Sequence, residues 1–449
     1  MSYARWATND EIKSRVEGVN LETGVTKSGL PVAYDDKYLY IDKGEAHNLL
    51  IGSTGSGKTQ AVILPLIKLS MLAKESIIVN DPKGELYEKT AESLKNNKYD
   101  VYVLDFDDAR KGNGWNPLTL AFDCYKDNKD KSLKIIEDLG YYLFTDENEK
   151  NTDPFWTNST INYFTGLVLY LFDHAKEEEI HLGSVLNLSN EIGKKGKSKE
   201  FLEGINISSK AYVKLIGTLN APPETRGSIL SVFNQKIERY VCKENLENLL
   251  SYNDINLQDI SNKPTAIFIV SGINSYSNNL IPLLVNQIVD AISMINKNER
   301  RINILLDEFD SMIPIKDFGK ILNYCRSLNI KITITIQSYI HLNNMYSKEE
   351  TEILKMCFGN IIYLLSEDIY TLKEISNYCG MIDNKDTPLI SIEDLKTLNP
   401  FEAIIIMPRT MPYKTKLLPD YKIDWGYNSN IVDIPIRKFK ELNYYNWEK

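Results

Sequence analysis

The sequence is poor in the residues that build disulfide frameworks and zinc sites. It holds five cysteines and four histidines in 449 residues, and the cysteines are scattered, with no C-x-x-C pair. Scattered thiols are typical of reduced cysteines in a cytosolic compartment, and without clustered ligands no zinc site is predicted. The cysteines are Cys124, Cys242, Cys325, Cys357 and Cys379.

Long apolar runs and a basic charge balance are also missing. No stretch reaches the ~20 apolar residues that a membrane helix needs, and residues 1–10 lack the apolar core of a signal peptide. We therefore expect the chain as given to be soluble. Its formal net charge is −9, so any contact with DNA would have to come from local basic loops rather than from the surface as a whole.

The sequence does contain one complete phosphate-binding motif. Residues 52–59, GSTGSGKT, follow the apolar run 48–51 and precede the helix-compatible stretch 61–72, which is the strand, loop and helix order that a P-loop requires. Glycines let backbone N–H groups turn inward toward phosphate oxygens, and the helix adds its positive N-terminus. We expect Lys58 to bind the β- and γ-phosphates of ATP, and the Thr59 hydroxyl to hold Mg²⁺. The predicted nucleotide contacts are Gly52, Ser53, Thr54, Gly55, Ser56, Gly57, Lys58, Thr59 and Gln60.

The order of apolar runs predicts an α/β protein. Around the P-loop, and again after residue 261, short unalternated apolar runs are separated by helical stretches, a pattern typical of a mostly parallel sheet buried on both faces. From about residue 118 to 260 apolar residues recur at helical spacing instead. We therefore predict a nucleotide-binding domain in two parts, 1–117 and 261–449, interrupted by an all-α inserted domain at 118–260.

Further polar residues stand at the ends of strand-like runs. The apolar run 302–306 is followed by Asp307 and Glu308, the Walker B pattern. Because a parallel sheet brings the carboxyl ends of its strands to one edge, we expect this pair to face the P-loop. Asp307 would support Mg²⁺, directly or through water, and Glu308 would orient and polarise the attacking water. Gln337 ends another run and is predicted to sense the γ-phosphate or to position water, whereas His47 is predicted to pack rather than to catalyse.

Two other stretches are interpreted more plainly. The basic loop 193–199, GKKGKSK, is interpreted as a solvated surface, with contact to nucleic acid or to an acidic partner as the alternative. The C-terminal stretch 431–449 is polar and aromatic, and no chemistry is assigned to it.

Taken in order, the motifs resemble those of a known family. Beyond the two ATP motifs, the chain carries DPKGE at 81–85, WNPL at 115–118, LDEF at 306–309 and IQS at 336–338. It resembles the type IV coupling proteins, the VirD4/TraG-like ATPases of conjugation and type IV secretion, from residue 5 to about residue 380. The resemblance implies a RecA-like P-loop NTPase fold with an inserted all-α domain, which agrees with the change of pattern near residue 118.

The resemblance implies partners as well as a fold. It implies a homo-hexameric ring that uses ATP to recruit a relaxase–DNA complex through the all-α domain and to deliver it to the channel components of a type IV secretion system. In isolation the chain could still be a monomer. The resemblance also implies that Arg326 completes the site of the neighbouring subunit, with Arg226 as a weaker rival. A cation supplied in trans neutralises charge in the transition state.

The chain departs from the family pattern in two places. Family members usually carry N-terminal membrane helices ahead of the Arg-Trp-Ala element, which begins here at residue 5. The chain is therefore expected to be cytoplasmic and to act at the inner face of the membrane, either as a fragment or through a membrane partner. Residues 310–314, DSMIP, replace a small glycine-containing stretch, which leaves the loop geometry after the carboxylates open.

Together these patterns predict an ATP-driven coupling protein with ATPase activity. One alternative is a chromosome-segregation-type DNA translocase, which shares the motor core; the inserted helical domain argues against it. The other alternative is a nucleotide-gated recruitment platform that hydrolyses little ATP, and the intact carboxylate pair at 307–308 argues against that.

Overall fold

The computed structural model describes residues 3–22, 24–35, 37–145, 153–272, 277–295, 298–382, 387–427 and 430–447. The strands are β1 (Glu17–Val19), β2 (Leu30–Tyr34), β3 (Leu39–Asp42), β4 (His47–Gly52), β5 (Ser76–Asn80), β6 (Asp100–Asp105), β7 (Thr265–Val270), β8 (Ile302–Leu306), β9 (Ile330–Ile336), β10 (Phe358–Leu365), β11 (Glu402–Ile406) and β12 (Tyr413–Lys416). The helices are α1 (Asn9–Lys13), α2 (Leu64–Leu72), α3 (Glu85–Asn96), α4 (Thr119–Tyr125), α5 (Lys129–Phe144), α6 (Pro154–His174), α7 (Leu182–Gly193), α8 (Lys197–Gly204), α9 (Lys210–Leu219), α10 (Pro223–Val241), α11 (Glu244–Leu249), α12 (Ser277–Ser293), α13 (Phe318–Ser327), α14 (Tyr339–Met345), α15 (Lys348–Cys357), α16 (Ile369–Cys379) and α17 (Ile392–Lys396).

A large, mostly parallel sheet organises the nucleotide-binding part of the chain. Its strand order is β12-β11-β10-β4-β9-β8-β5-β7-β6. The strands from β10 to β7 run parallel to their neighbours, and β11 and β12 extend the sheet antiparallel. Every residue of β4, β5, β7, β8 and β9 is buried. Burial on both faces explains why these strands have unalternated apolar sequences.

The position of β9 decides which residues can meet. It lies between β4 and β8 and runs parallel to both, with Ile334 paired to Leu49 on one side and to Leu306 on the other. The carboxyl ends of parallel strands lie at the same edge of a sheet. The segments that follow β4, β9 and β8 therefore leave the sheet side by side.

The chain divides into two compact units. One comprises residues 1–103, 258–270 and 295–434, and the other comprises residues 104–257, 271–294 and 435–449. The second unit contains helices α4 to α12 and is called the helical unit below.

The predicted domain limits of 1–117, 118–260 and 261–449 stay a prediction, and the compact units differ from them in four segments. Residues 104–117, 271–294 (which include α12) and 435–449 belong to the helical unit, and residues 258–260 belong to the nucleotide-binding part. The reason for α12 is direct contact: Gln287 Nε2 donates to the Pro117 carbonyl at 2.7 Å, and Lys131 Nζ lies 2.7 Å from Asp290 Oδ1.

Aromatic side chains form the centre of the helical unit. The buried rings of Phe144, Phe164, Phe233 and Tyr163 contact one another with centroids 5.2 to 5.5 Å apart. Such rings bury large apolar areas and fix the packing of the helices that carry them.

The basic loop at 193–199 reaches into the start of α8. Within it, Lys197 lies 3.1 Å from Glu200 and Lys199 lies 3.7 Å from Glu203. These exposed pairs along one helix are what a solvated surface is expected to show. In the part of the chain that the structure describes, no helix is both long enough and apolar enough to cross a bilayer.

Candidate functional site

The P-loop leaves the sheet at the end of a fully buried strand. β4 ends at Gly52, the loop occupies residues 53–58, and a helical segment begins at Thr59 and continues into α2. The Ser53 N–H donates to the Leu365 carbonyl at 2.8 Å, which fixes the loop to the end of β10. Gly55 and Gly57 have φ values of 80° and 94°, a region that glycine enters without a Cβ penalty. The predicted strand, loop and helix order is present.

Gly57 is also required for a second reason. A Cβ at this position would lie 2.8 Å from Phe401 Cε1, because the Phe401 ring packs directly against the loop. Phe401 itself has a φ of 68°, an uncommon conformation for a bulky residue that is held here just before β11. Phe401 was not predictable from the sequence, since no pattern near residue 401 indicates a contact with a loop more than 340 residues earlier.

The Lys58 ammonium is directed back onto its own loop. Nζ donates to the carbonyl of Gly52 and, at 3.3 Å, to that of Ser53. Burial lowers the pKa of Lys58, whereas the nearby carboxylates of Asp307, Asp310 and Glu308 act in the opposite direction. The structure thus brings the P-loop lysine and the Asp307–Glu308 pair together, as the sequence predicted.

Thr335 connects the two carboxylate residues after β8. Its hydroxyl donates to Asp307 Oδ1 at 2.7 Å and accepts the Glu308 N–H at 3.0 Å. Glu308 has a left-handed backbone with a φ of 51°. Burial and the Asp307 charge raise the pKa of Glu308, while Lys83 and Lys58 lower it. A carboxylate with a raised pKa accepts a proton more readily near neutral pH, which suits a general base.

Gln337 follows β9 at the same edge, with an exposed side chain. Its backbone N–H donates to Asp310 Oδ2 at 3.3 Å, and the same oxygen lies 2.5 Å from His341 Nδ1. Asp310 belongs to the stretch that departs from the family pattern, and its side chain is only 4 % exposed. Asp310 therefore supplies a buried carboxylate that connects the segment after β8 to the segment after β9.

The turn after β5 lies beside the same carboxylates. Asn80 Nδ2 donates to the Asp307 carbonyl at 2.6 Å, and Lys83 is close enough to Glu308 to lower its pKa. Asp81 is buried and accepts the Tyr87 N–H at 2.8 Å. Burial, with a smaller contribution from Asp307, raises the pKa of Asp81 to about 7. The DPKGE motif is thus part of the site, although no role for it was predictable from its residues alone.

Arg326 lies at the opposite edge of the sheet. It stands near the C-terminus of α13, where Nη2 donates to the Cys357 carbonyl at 3.0 Å, and its charge contributes to lowering the pKa of His47. His47 is the first residue of β4, whereas Lys58 follows the last, and a strand of six residues spans about 17 Å. The structure therefore does not bring Arg326 to the P-loop of its own chain.

His47 has the packing role that the sequence predicted. It is fully buried, with Nδ1 accepting the Ile332 N–H at 2.9 Å and Nε2 donating to the Leu322 carbonyl at 2.7 Å. Burial lowers its pKa to about 4, so the imidazole is neutral at pH 7. Arg226 lies in the helical unit, where Nη1 donates to the Leu219 carbonyl at the end of α9 at 3.2 Å.

Two buried polar atoms at this edge have no hydrogen-bond partner among the described residues, the Ser56 hydroxyl and the side-chain oxygen of Asn80. Both hydrogen bonds that the Asp307 carboxylate accepts go to Oδ1, which leaves Oδ2 open. Buried polar groups are usually satisfied, so an unsatisfied hydroxyl inside a glycine-rich loop is typical of a site that fits an oxygen-rich ligand. No cluster of three acidic, histidine or cysteine side chains that could cage a metal lies in the described ranges. Mg²⁺ does not need such a cluster, because it is bound by one or two protein groups together with phosphates and water.

Comparison with solved structures shows the fold. The chain aligns with unbound TrwBdeltaN70, a bacterial conjugative coupling protein, with a TM-score of 0.66 and 15% identity over 98% of this chain and 95% of that chain. It aligns with the plasmid coupling protein TrwB in complex with the ATP analogue ADPNP (TM-score 0.69, 16% identity, 98% and 96% coverage). It also aligns with TrwB in complex with ADP and Mg²⁺, with a TM-score of 0.64 and 16% identity over 98% of this chain and 96% of that chain. The predicted RecA-like α/β fold is thereby confirmed.

Comparison at the level of sequence families is more specific. No curated protein sequence matches the chain. The family described as "Type IV secretory system Conjugative DNA transfer" matches residues 5–396, which is most of the chain and includes the P-loop, the carboxylate pair and the helical insertion. The chain belongs to this family of type IV coupling proteins.

Proposed function

We propose that the chain is an ATP-driven coupling protein that recruits a relaxase–DNA or protein substrate and delivers it to a type IV secretion channel. The observation that carries the proposal is the meeting of the P-loop, the Asp307–Glu308 pair and Gln337 at the ends of three adjacent parallel strands. The structures of TrwB with an ATP analogue, and with ADP and Mg²⁺, support the choice of nucleotide and metal.

The loop and Asp307 would bind the nucleotide and its metal. The Lys58 ammonium, which donates to two loop carbonyls in this chain, would instead donate to phosphate oxygens, while the remaining loop residues present N–H groups. The Thr59 hydroxyl and the open oxygen of Asp307 would hold Mg²⁺, Asp307 either directly or through water. Bound magnesium supplies positive charge that offsets the negative charge of the phosphates.

Glu308 would orient and polarise the attacking water. Its backbone is held by Thr335 and its pKa is raised by burial, so its carboxylate can accept a proton near neutral pH. Gln337, at the end of the strand between the P-loop strand and the carboxylate strand, would sense the γ-phosphate.

Arg326 would act on the site of a neighbouring subunit. It lies about the length of a six-residue strand away from its own P-loop, so a role in hydrolysis requires a second copy of the chain. A positive charge supplied in trans stabilises the transition state for phosphoryl transfer. This placement supports a ring, and we propose a homo-hexamer assembled at the inner face of the membrane.

DNA, the relaxase and the secretion channel are the proposed partners. The family description, conjugative DNA transfer, supports the DNA substrate and the secretion system. The helical unit is proposed as the docking place for the relaxase, since it is the part of the chain outside the nucleotide-binding unit.

A nucleotide-gated platform with little hydrolysis is kept as a second candidate because of two contacts. The Lys58 ammonium bonds the carbonyls of Gly52 and Ser53, and the Arg326 guanidinium bonds the carbonyl of Cys357. Both cations that hydrolysis needs are thus engaged within the single chain. A chain that stays monomeric would bind ATP and turn it over slowly.

One experiment separates the two candidates. ATP hydrolysis is measured against protein concentration, with and without DNA, alongside the mass in solution. The motor requires specific activity that rises with concentration and with DNA and that is lost in Lys58→Ala and Glu308→Gln, with Lys95→Ala on the exposed face of α3 as the matched control. Flat, near-zero activity with tight ATP binding and a monomeric mass would establish the platform instead.

A further inference from the structure

The C-terminal segment lies on the helical unit as an extended surface strap. Residues 437–447, called the tail below, contain no helix or strand, and none of their side chains belongs to the buried class. The family match ends at residue 396, so the tail lies outside it. The tail follows a groove that runs from the residues around α11 along α7 to the start of α8.

The groove binds the tail through its main chain. Side chains from α7 and from the end of α11 contact backbone N–H and C=O groups of residues 440, 441, 443, 445 and 447. The side chains that donate to tail carbonyls are Asn248 (to Lys440), Tyr252 (to Glu441), His181 (to Asn443, 2.9 Å) and Asn187 (to Tyr445, 2.9 Å). Two side chains accept from tail N–H groups at 3.0 Å, Ser184 from Tyr445 and Glu191 from Trp447.

Side chains of the tail are held at its two ends. The Arg437 guanidinium donates to Asn248 Oδ1 at 2.7 Å and to the Ala109 and Asn245 carbonyls at 3.1 and 3.0 Å. At the other end the Trp447 ring lies 5.1 Å from that of Phe201. Between them the Tyr444 hydroxyl donates to Glu247 Oε1 at 2.9 Å. The groove therefore combines main-chain recognition with places for a cation and for aromatic rings.

The hydrogen bonds between the groove and the tail are individually weak enough for the tail to dissociate. The part of its wall that binds the tail backbone is polar, with His181, Ser184 and Asn248 buried beneath the tail, and water can replace these hydrogen bonds when the tail departs. Each such exchange is worth only about 0.5–1.5 kcal/mol. A segment with no buried side chain adds little apolar burial, and segments of this kind open far more easily than core helices.

Main-chain recognition also defines what else could bind. A site that hydrogen-bonds to backbone groups can bind many different sequences in an extended conformation. Pockets for alternate side chains then make the binding selective. We propose that the groove is a docking site for an extended, aromatic-bearing segment of a protein partner, and that the tail is its resident competitor. The partner's chemistry rests on the proposed docking role of the helical unit.

The test uses the full chain and a labelled peptide of residues 436–447 as the probe. The tail is released by the double substitution Arg437→Ala/Trp447→Ala. The matched control is Lys438→Ala/Phe439→Ala, which removes a neighbouring exposed cation and ring for which the described residues show no hydrogen bond, ion pair or ring contact to the groove. A tethered segment has an effective concentration in the millimolar range, so it should weaken probe binding about tenfold or more.

The expected result is probe binding at least tenfold tighter to the released variant than to the wild type and the matched control. Adding Ser184→Ala/Asn187→Ala to the released variant should abolish it. Equal binding to all three chains, or no binding to a released variant with an unchanged unfolding temperature, would overturn the proposal. A released variant that doubles its mass, and returns to the original mass when probe is added, would assign the groove to a second copy of the chain instead.

Hydrogen exchange on the wild-type chain provides a second readout that needs no variant. The Tyr445 and Trp447 amides should exchange at least a hundredfold faster than the amides of α7. Equal rates would make the tail a fixed part of the fold and overturn the proposal. Neither assay contains nucleotide or DNA, so a failure of the motor function would leave both results unaffected.

Discussion

Thr335 bonds directly to Asp307, 28 residues earlier in the chain, with 2.7 Å between the hydroxyl and the carboxylate. The same hydroxyl accepts the Glu308 N–H, so one side chain on β9 sets the orientation of both acidic residues after β8. A hydroxyl that donates to a carboxylate and accepts from an adjacent N–H cannot be replaced by an apolar group of the same shape.

Thr335→Val should therefore lower kcat for ATP hydrolysis about tenfold or more, since a hydrogen bond to a charged group is worth about 1.5–3 kcal/mol. KM for ATP should change little, because the P-loop contacts remain. Steady-state kinetics give both values. Thr333→Val, two residues earlier on the same strand, removes a bond to Asn48 instead and should spare kcat. Full kcat in Thr335→Val would show that the carboxylates are positioned without the hydroxyl.

The second prediction concerns the pH dependence of hydrolysis. Glu308 must be ionised to polarise water, and its pKa is raised by burial and by Asp307, so activity should be lost as pH falls through this raised value. The charge of Lys83 lowers the pKa of Glu308 and so opposes this effect. Lys83→Gln should move the acidic limb of the kcat profile to higher pH, by about half a unit to one unit. Lys95→Gln on α3 should leave the profile in place, and an unmoved limb in both variants would remove Lys83 from the site.

The third prediction tests Arg326 by mixing two inactive chains. In Glu308→Gln the site is inactive but the arginine is intact, and in Arg326→Ala the reverse holds. If the arginine acts in trans, mixing equal amounts should restore activity at about a quarter of the interfaces in randomly assembled rings. A double variant Glu308→Gln/Arg326→Ala mixed with either single variant provides the control. No recovery, with rings present by mass, would contradict a trans role.

The fourth prediction concerns Asp81 and stability. Its pKa is about 7 in the folded chain against an ordinary 3.8, so the folded state keeps a proton that the unfolded state has already lost between these values. The stabilisation is complete below about pH 4 and disappears as pH rises through 7. Asp81→Asn removes this titration and can still accept the Tyr87 N–H.

Relative to the wild type, Asp81→Asn should therefore be about 1–3 kcal/mol more stable at pH 8 than at pH 5. Urea unfolding without magnesium and nucleotide measures the difference. Asp127→Asn serves as the control, because Asp127 is exposed and its carboxylate forms no hydrogen bond or ion pair among the described residues. If the difference in the free energy of unfolding between Asp81→Asn and the wild type is the same at pH 5 and pH 8, the Asp81 carboxylate is ionised in the folded state at both pH values.

The sequence predicted those parts of the site that lie within single short segments. The P-loop is recognisable because its glycines, lysine and threonine are contiguous, and the Asp307–Glu308 pair because it follows an uninterrupted apolar strand. The parallel sheet then requires them to meet, and the carboxylates of Asp307 and Glu308 lie close enough to Lys58 to act on its pKa.

Contacts across long sequence separations were not predictable in the same way. Thr335, Asn80 and Phe401 join the site only because of strand register and order, and a threonine inside an apolar strand has no distinctive local pattern. Arg326 was located by its place between two motifs, but only the direction of α13 reveals that it lies at the far edge of the sheet. The tail is missed for the same reason, since its partners, such as Asp254 and Asn248, lie 186 and 189 residues away.

His47 joins three elements at the start of the P-loop strand, through one bond to α13 and one to β9. The P-loop strand β4 and the helix α13 that carries Arg326 are therefore joined directly, and the strand between Arg326 and the P-loop is about 17 Å long. If that arginine serves the neighbouring subunit, the spacing between successive ATP sites in a ring is fixed by a buried strand. Changes in the loop sequences would then leave the spacing between successive ATP sites unchanged.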